Sequence, residues 1–565
     1  MSLQKPSWLG MILALVLASC SARPGADTPA DPPTASEAAR FLTQATFGPT
    51  DASISAVRSS GYAEWIDQQI AMPVQSSHLA WIDSRVPAGA SVASITPNDV
   101  YYTFWQQAVE SPDQLRQRVK LALSEIFVIS LVDANVEERG VAAYYDMLGA
   151  NAFGNFRTLL EQVSLHPQMG VYLTWMANQK EDAVRHPDEN YAREVMQLMT
   201  IGLYQLNPNG TRRLDGAGSP IPTYTADDIA GLAKVFTGYS WYSPTPTNNG
   251  TFFGRNRAAD AATRSMIPYP AYHSVSAKTF LGTTIPASTV ATANPAGDLK
   301  IALDTLANHP NVGPFISKQL IQRLVTSNPS PAYVARVSAV FGDNGRGVRG
   351  DMGAVIKAIL LDPEARTAPA AGDANYGKLR EPVVRLANWM RAFGATSQSG
   401  NWFIGSTSAN TSLSQSALTS PSVFNFFRPG YSPPNTKMGA QGLTAPEFQI
   451  VDEVSVAGYL NTMQSAIDTG IGNTVAGATG RDVRANYSAE VALASDVNAL
   501  VDRMSLLLTS GQMSPSLRGK IVAAVSAVPI PGGTATAAQV NTARLNRVKL
   551  AIFMTMASPE YLVQR

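Results

Sequence analysis

The chain has one cysteine, Cys20, among 565 residues. No intramolecular disulfide can form, and thiol chemistry is closed to every residue after position 20. Charge is scarce: 43 Lys and Arg stand against 42 Asp and Glu, and charged residues make up 15% of the chain. A net charge of +1 offers none of the broad basic surface that nucleic acid demands. Catalytic signatures are missing too. The five histidines contain no HExxH, and neither a G-x-S-x-G elbow nor a G-x-x-x-x-G-K-[ST] loop occurs. Gly342 to Gly350 is glycine-rich, but it follows a helical pattern, so it reads as a plain loop rather than a phosphate cradle. What remains is 45% hydrophobic, enough for a large core and too much for a disordered chain.

The N-terminus reads as an export signal over residues 1–19. Lys5 supplies positive charge, and Leu9 to Ala18 is apolar but shorter than the ~20 residues a spanning helix needs. Leu17-Ala18-Ser19-Cys20 looks like a lipobox, in which Cys20 is lipidated and becomes the mature N-terminus. Residues 20–36, rich in Pro, Ala and Asp, suit a flexible tether. Ser21 after the cysteine resembles outer-membrane sorting. The expectation is a cell-envelope lipoprotein that meets the membrane through its lipid, with no second apolar segment long enough to span.

Residues 37–565 read as one large, mainly α domain with long irregular loops. Ser111-Pro112-Asp113-Gln114 reads as a helix start, and Leu115, Val119, Ala122, Leu123 and Ile126 recur at helical spacing. Pro187 opens a helix expected to run to Leu203, and Thr225-Ala226-Asp227-Asp228 resembles a capping box. Further helices are expected near 298–308, 313–326, 331–341, 351–361, 380–393, 447–468, 487–509, 514–527 and 535–556. Leu206 to Thr211 is turn chemistry for a short hairpin within 205–224. The stretches 240–275, 364–378 and 400–446 are irregular, and the last carries an aromatic segment from Pro421 to Tyr431.

An ordered set of segments resembles the bacterial family catalogued as domain of unknown function 1800 (DUF1800). They are Arg40 to Thr50 (RFLTQATFGPT), RQRVKLALSEIFVIS at 116–130, AFGNFRTLLEQVSLHPQMGVYL at 152–173 and HPDENYAREVMQLMTIGL at 186–203. YTADDIAGLAKVFTGYSW at 224–241, HSVSAKTFLG at 273–282, Arg380-Glu381-Pro382 and PSVFNFFRPGYSPP at 421–434 follow. The form of the last segment looks like that of a subgroup, which with the lipobox is expected to be a secreted lipoprotein subgroup. The resemblance implies a secreted bacterial protein, often encoded beside a sulfatase-like protein, and brings no established activity or cofactor.

The residues themselves suggest a carboxylate site. On the helix from Pro187, Tyr191, Val195, Leu198 and Met199 form the apolar face, while Glu189 and Arg193 are spaced for an intrahelical ion pair. Glu194 lies at the edge of the apolar face with Asn190 one turn before, so it needs a partner or a shifted pKa. It is either a structural salt bridge or a general acid/base. Asp227 and Asp228 either cap a helix or pair with Glu189 or Glu194 across a cleft, the arrangement of a glycoside hydrolase. His273 lies in a long loop with Lys278 five residues on, whereas His166 and His309 sit at helix junctions, where histidine caps or packs. Glu194, an aspartate and His273 together suit acid/base work, or a divalent cation, although no metal-ligand motif is present. Trp241 and Trp402 lie in or beside loops and either stack on sugar rings or pin those loops. Trp65, Trp105, Trp175 and Trp389 read as core.

Two functions fit. One is an envelope enzyme acting on a glycan, with catalysis by Glu194, Glu189, Asp227, Asp228 and His273, and binding by Asn190, Arg193, Lys278, Trp241 and Trp402. The other is a non-catalytic surface protein that binds or assembles with a sulfatase-like partner. In that case Arg193, Arg380 and Arg385 would saturate the acids and leave no open cleft.

Overall fold

The computed structural model describes residues 31–86, 94–370, 373, 375–477 and 480–565. The expected signal peptide, Cys20 and the first part of the tether lie outside them. Among the described residues the fold is mainly α: about half of it is helical, in 24 helices, and the sheets have only two or three strands. One hydrophobic cluster runs from Ala38 to Tyr561 and contains Trp65, Trp105, Trp175 and Trp389. No described helix is long and apolar enough to cross a membrane.

Local chemistry sets most helix starts. Thr225 and Asp228 form the expected reciprocal capping box ahead of Ala226–Val235. Ser330 and Ser514 cap helices whose first residue is proline, which costs no hydrogen bond at that position. The helix expected from Ser111 begins instead at Gln114, because the Ser111 hydroxyl donates to Asp113 and the Gln114 amide turns back to the Ser111 carbonyl. The helix expected from Pro187 to Leu203 is confined to Asn190–Gln197. Its end unwinds as the Ile201 and Gly202 amides both reach the Met196 carbonyl. The helix expected over 447–468 starts at Glu453, where Asp452 and Ser455 cap it. That over 487–509 breaks in two at Asp496, whose carboxylate accepts the Asn498 and Ala499 amides.

Between residues 203 and 223 the chain forms an exposed ribbon of isolated bridges, Tyr204 to Pro222, Leu206 to Arg212 and Leu214 to Pro220, rather than one regular hairpin. In the loop from Gly342 to Gly350, Asp343 itself accepts the Gly345 and Gly347 amides, so an internal carboxylate fills the anion-binding turn.

The Gln114–Ser124 helix is buried on every side, charged residues included. That departs from the amphipathic reading, and each cation answers to a local partner. Arg116 reaches the Gly149 and Met72 carbonyls and lies 3.3 Å from Asp113. Lys120 Nζ lies 2.8 Å from His78 Nε2 and donates to Gln107, and burial lowers its pKa to about 8. Arg118 donates across to the Arg323 carbonyl at 2.6 Å. This helix thus carries charge into the middle of the molecule.

Candidate functional site

The residues singled out in the sequence do not form one cluster. Glu189 and Arg193 make the expected i,i+4 pair at 3.1 Å, and both are nearly half exposed. Asn190 donates to the Thr174 hydroxyl. Glu194 is 7% exposed, and its Oε2 has no hydrogen-bond partner. Burial raises its pKa, partly offset by the Arg193 charge. Asp228 caps its helix and accepts the Leu281 amide at 2.7 Å, which fastens that helix to the Lys278–Phe280 strand. Asp227 stands exposed in the first turn, where a helix favours acids.

His273 and Lys278 do meet, through a residue the sequence reading missed. Asp298 Oδ2 lies 3.0 Å from His273 Nε2 and 2.8 Å from Lys278 Nζ. His273 Nδ1 lies 2.7 Å from the Thr237 carbonyl, and His273 and Lys278 are fully buried. Burial alone would raise the Asp298 pKa, but the hydrogen bonds from His273 and Lys278 outweigh it and hold the carboxyl below its ordinary value. The set locks the long loop to the Pro295–Asn308 helix. Trp402 is 1% exposed and packs in the core, so it pins its loop rather than offering a stacking face. Trp241 is half-buried beneath the Arg257 guanidinium, 4.2 Å from its ring. His166 and His309 accept backbone amides at their helix junctions.

A denser set of ionisable groups lies elsewhere. Glu125 follows the Gln114–Ser124 helix and Glu381 precedes the Pro382–Ala392 helix; both carboxyls are buried, and Glu125 Oε1 and Oε2 and Glu381 Oε1 have no hydrogen-bond partner in the protein. Burial and the neighbouring Glu381 push the Glu125 pKa well up. For Glu381, burial acts upward as well, but the charges of Lys378 and Arg118 and the hydrogen bond from Gln415 bring it down. Arg323 Nε lies 3.3 Å from Glu125, and Lys378 Nζ lies 3.0 Å from Glu447 and 3.6 Å from Glu381. All five groups are buried.

Beside Glu125 is a cavity of about 10 Å³, the space of one water, lined also by Gln415, Ser420, Asn425 and Phe426. Three of its lining side chains carry buried polar atoms with no hydrogen-bond partner in the protein: Glu125 Oε1 and Oε2, Ser420 Oγ and Asn425 Nδ2. Such atoms in one place are the mark of bound water or ligand. The covering segment holds three non-glycine residues at positive φ, Ser414 (58°), Leu418 (60°) and Asn425 (65°). Backbone strain of this kind persists only where surrounding structure enforces it, and it gathers at functional sites.

Among the described residues, no group of three or more His, Cys, Asp or Glu side chains is placed to hold a metal ion. A larger cavity of about 270 Å³ lies between Asp468, Arg484, Asn486 and Lys549. Neither cavity is lined by Glu194, Asp227, Asp228 or His273.

The sequence signal for the buried site was positional. Glu125, Glu381 and the Asn425-Phe426 pair come from three of the segments that carry the family resemblance. The Arg380 and Arg385 guanidiniums, expected to saturate acids, stack instead on the Tyr561 and Tyr459 rings at 4.7 and 4.8 Å.

A family model described as a protein of unknown function (DUF1800) matches residues 40–563. No curated protein and no solved structure matches the chain.

Proposed function

The chain belongs to the DUF1800 family, and from that premise we propose that it is a lipid-anchored cell-envelope enzyme with its acid/base centre at Glu125 and Glu381. The observation that carries this is a pair of buried carboxyls held among Arg323, Lys378 and Gln415, with Glu125 lining a cavity of water size. In such a pair one member takes a proton from water while the other delivers one. The reaction proposed is hydrolysis of an acyl substituent on an envelope glycan. The acyl group reaches Glu125 by movement of residues 414–426, where the strained positions lie.

The test is to incubate the purified full chain with acylated envelope and extracellular polysaccharides, beside Glu125→Gln and Glu381→Gln. Acid release by wild type and its loss in both folded variants would support the centre. Release that survives both substitutions would sink it.

The assembly reading has its own support. The acids expected to be catalytic are engaged elsewhere, Glu189 by Arg193 and Asp228 by its helix cap, and the 203–223 ribbon is exposed with Leu203 and Leu214 on its surface. Under that reading the chain co-purifies with its sulfatase-like partner when the two are co-expressed, and replacing Leu203 and Leu214 by Ser abolishes the complex.

A further inference from the structure

We propose that the cavity between the end of the Glu453–Thr469 helix and one face of the Ala537–Met556 helix binds a single neutral sugar ring through its neighbouring hydroxyls. It shares no lining residue with the cavity beside Glu125, so it does not depend on the acid/base centre proposed there. Its volume is about 270 Å³. That is at the lower edge of the roughly 300–1,000 Å³ of small-molecule sites, and it suits one ring rather than an extended chain.

Three walls make the cavity. Asn541, Leu545 and Lys549 stand four residues apart on the Ala537–Met556 helix and so form one stripe. A second wall is the last turn of the Glu453–Thr469 helix, with Ile467 and Asp468. The segment from Arg484 to Val491 supplies the third. Hydrogen bonds tie these walls together. Lys549 Nζ donates to the Asp468 carbonyl at 3.0 Å and to its carboxylate at 2.6 Å. The Tyr487 hydroxyl accepts the Trp389 indole N–H at 3.1 Å and donates to the Ile467 carbonyl at 3.2 Å. The shape is thus set by the protein's own contacts, as ligand pockets usually are.

Charge decides the class of ligand. Arg484 and Lys549 line the cavity, and so does Asp468, where the Glu453–Thr469 helix ends with its negative pole. A small anion would meet that pole and the Asp468 carboxylate, and a small cation would meet the two basic side chains. A neutral molecule avoids both repulsions. The polar groups that face it are of both kinds. Asp468 accepts, and Lys549 does not exhaust the roughly four lone-pair sites of its carboxylate. Asn486 spends its oxygen on the Ser488 amide and hydroxyl, at 3.0 and 2.7 Å, so its NH2 is what it has to offer. Asn541, exposed on its helix, offers an oxygen and an NH2. Acceptors set beside donors match adjacent hydroxyls, each of which both donates and accepts. Ile467, Val491 and Leu545 add apolar surface for the C–H face of the ring.

The probes are the methyl glycosides of D-glucose, D-galactose and D-mannose, each added to the purified full chain, with cyclohexanol and inorganic phosphate as controls. Saturation-transfer NMR is expected to show saturable binding of at least one glycoside, which phosphate does not displace. Asn541→Ala removes one hydrogen-bonding side chain and should weaken that binding by about tenfold. Asn541→Trp fills the cavity from an exposed position and should abolish it. Melting temperatures confirm that both variants fold, and Lys549→Met, which loses only a surface ion pair, replaces either one that does not. Failure of all three glycosides to bind overturns the proposal. Binding that Asn541→Trp leaves intact does so too, because the sugar then sits elsewhere. Displacement by phosphate would make this an anion site, and equal binding of cyclohexanol would make it an apolar cleft; either result also overturns it.

Discussion

His273 Nε2 lies 3.0 Å from Asp298 Oδ2, and the same oxygen receives Lys278 Nζ at 2.8 Å. Both ring nitrogens of His273 face oxygen, since Nδ1 lies 2.7 Å from the Thr237 carbonyl. Two donors thus converge on one carboxylate, and the long loop is fastened to a helix through charge. This explains His273 and Lys278 without catalysis. Neither is exposed, and neither lines a described cavity.

Asp298→Asn leaves Lys278 buried with no counter-charge, and it is expected to cost on the order of 3 kcal/mol at neutral pH. The sign with pH follows from the lowered Asp298 pKa. Its stabilisation is present above the unfolded value, about 3.9, and is lost as pH falls through the folded value. Urea unfolding of wild type and variant should therefore converge in acid. A constant gap down to about pH 2 would refute the charge account.

Glu125 titrates in the opposite sense. Its folded pKa lies above the unfolded one, so the stabilisation is full below the unfolded value, about 4.3, and falls away as pH rises through the folded value. Glu125→Gln keeps the shape and stays neutral. The variant should lose less stability than wild type between neutral and alkaline pH, as read from melting temperatures. A parallel decline in both would count against a proton held at Glu125.

Lys378→Met removes the cation between Glu381 and Glu447, both buried. Breaking such a set costs roughly 3–5 kcal/mol. Adding Glu447→Gln should recover part of the loss, because one uncompensated charge is then gone. A double mutant whose loss equals the sum of the two single losses would show the groups to be uncoupled.

The loop tryptophans separate cleanly. Trp402→Ala opens a hole in the core and should cost about 3–5 kcal/mol. Trp241→Ala loses the Arg257 stack and should cost on the order of 1 kcal/mol. Thermal unfolding distinguishes them, and equal small losses would place Trp402 outside the core.

The family and the mainly α fold were legible because both rest on local pattern and segment order. Thr225 and Asp228 cap a helix through their own backbone, so four residues of sequence suffice. The Glu189–Arg193 pair follows from helical spacing alone. Other features needed the tertiary structure. Helical periodicity ranks faces by polarity, and it gave no sign that the Gln114–Ser124 helix would be buried on all sides. Asp298 is separated from His273 by 25 residues and Gln415 from Glu381 by 34, so neither contact has a spacing to be read. Sequence determines what each segment prefers locally. Which carboxyls lose water, and which donor reaches them, is decided only when distant segments pack, because desolvation and pairing depend on everything that surrounds the group.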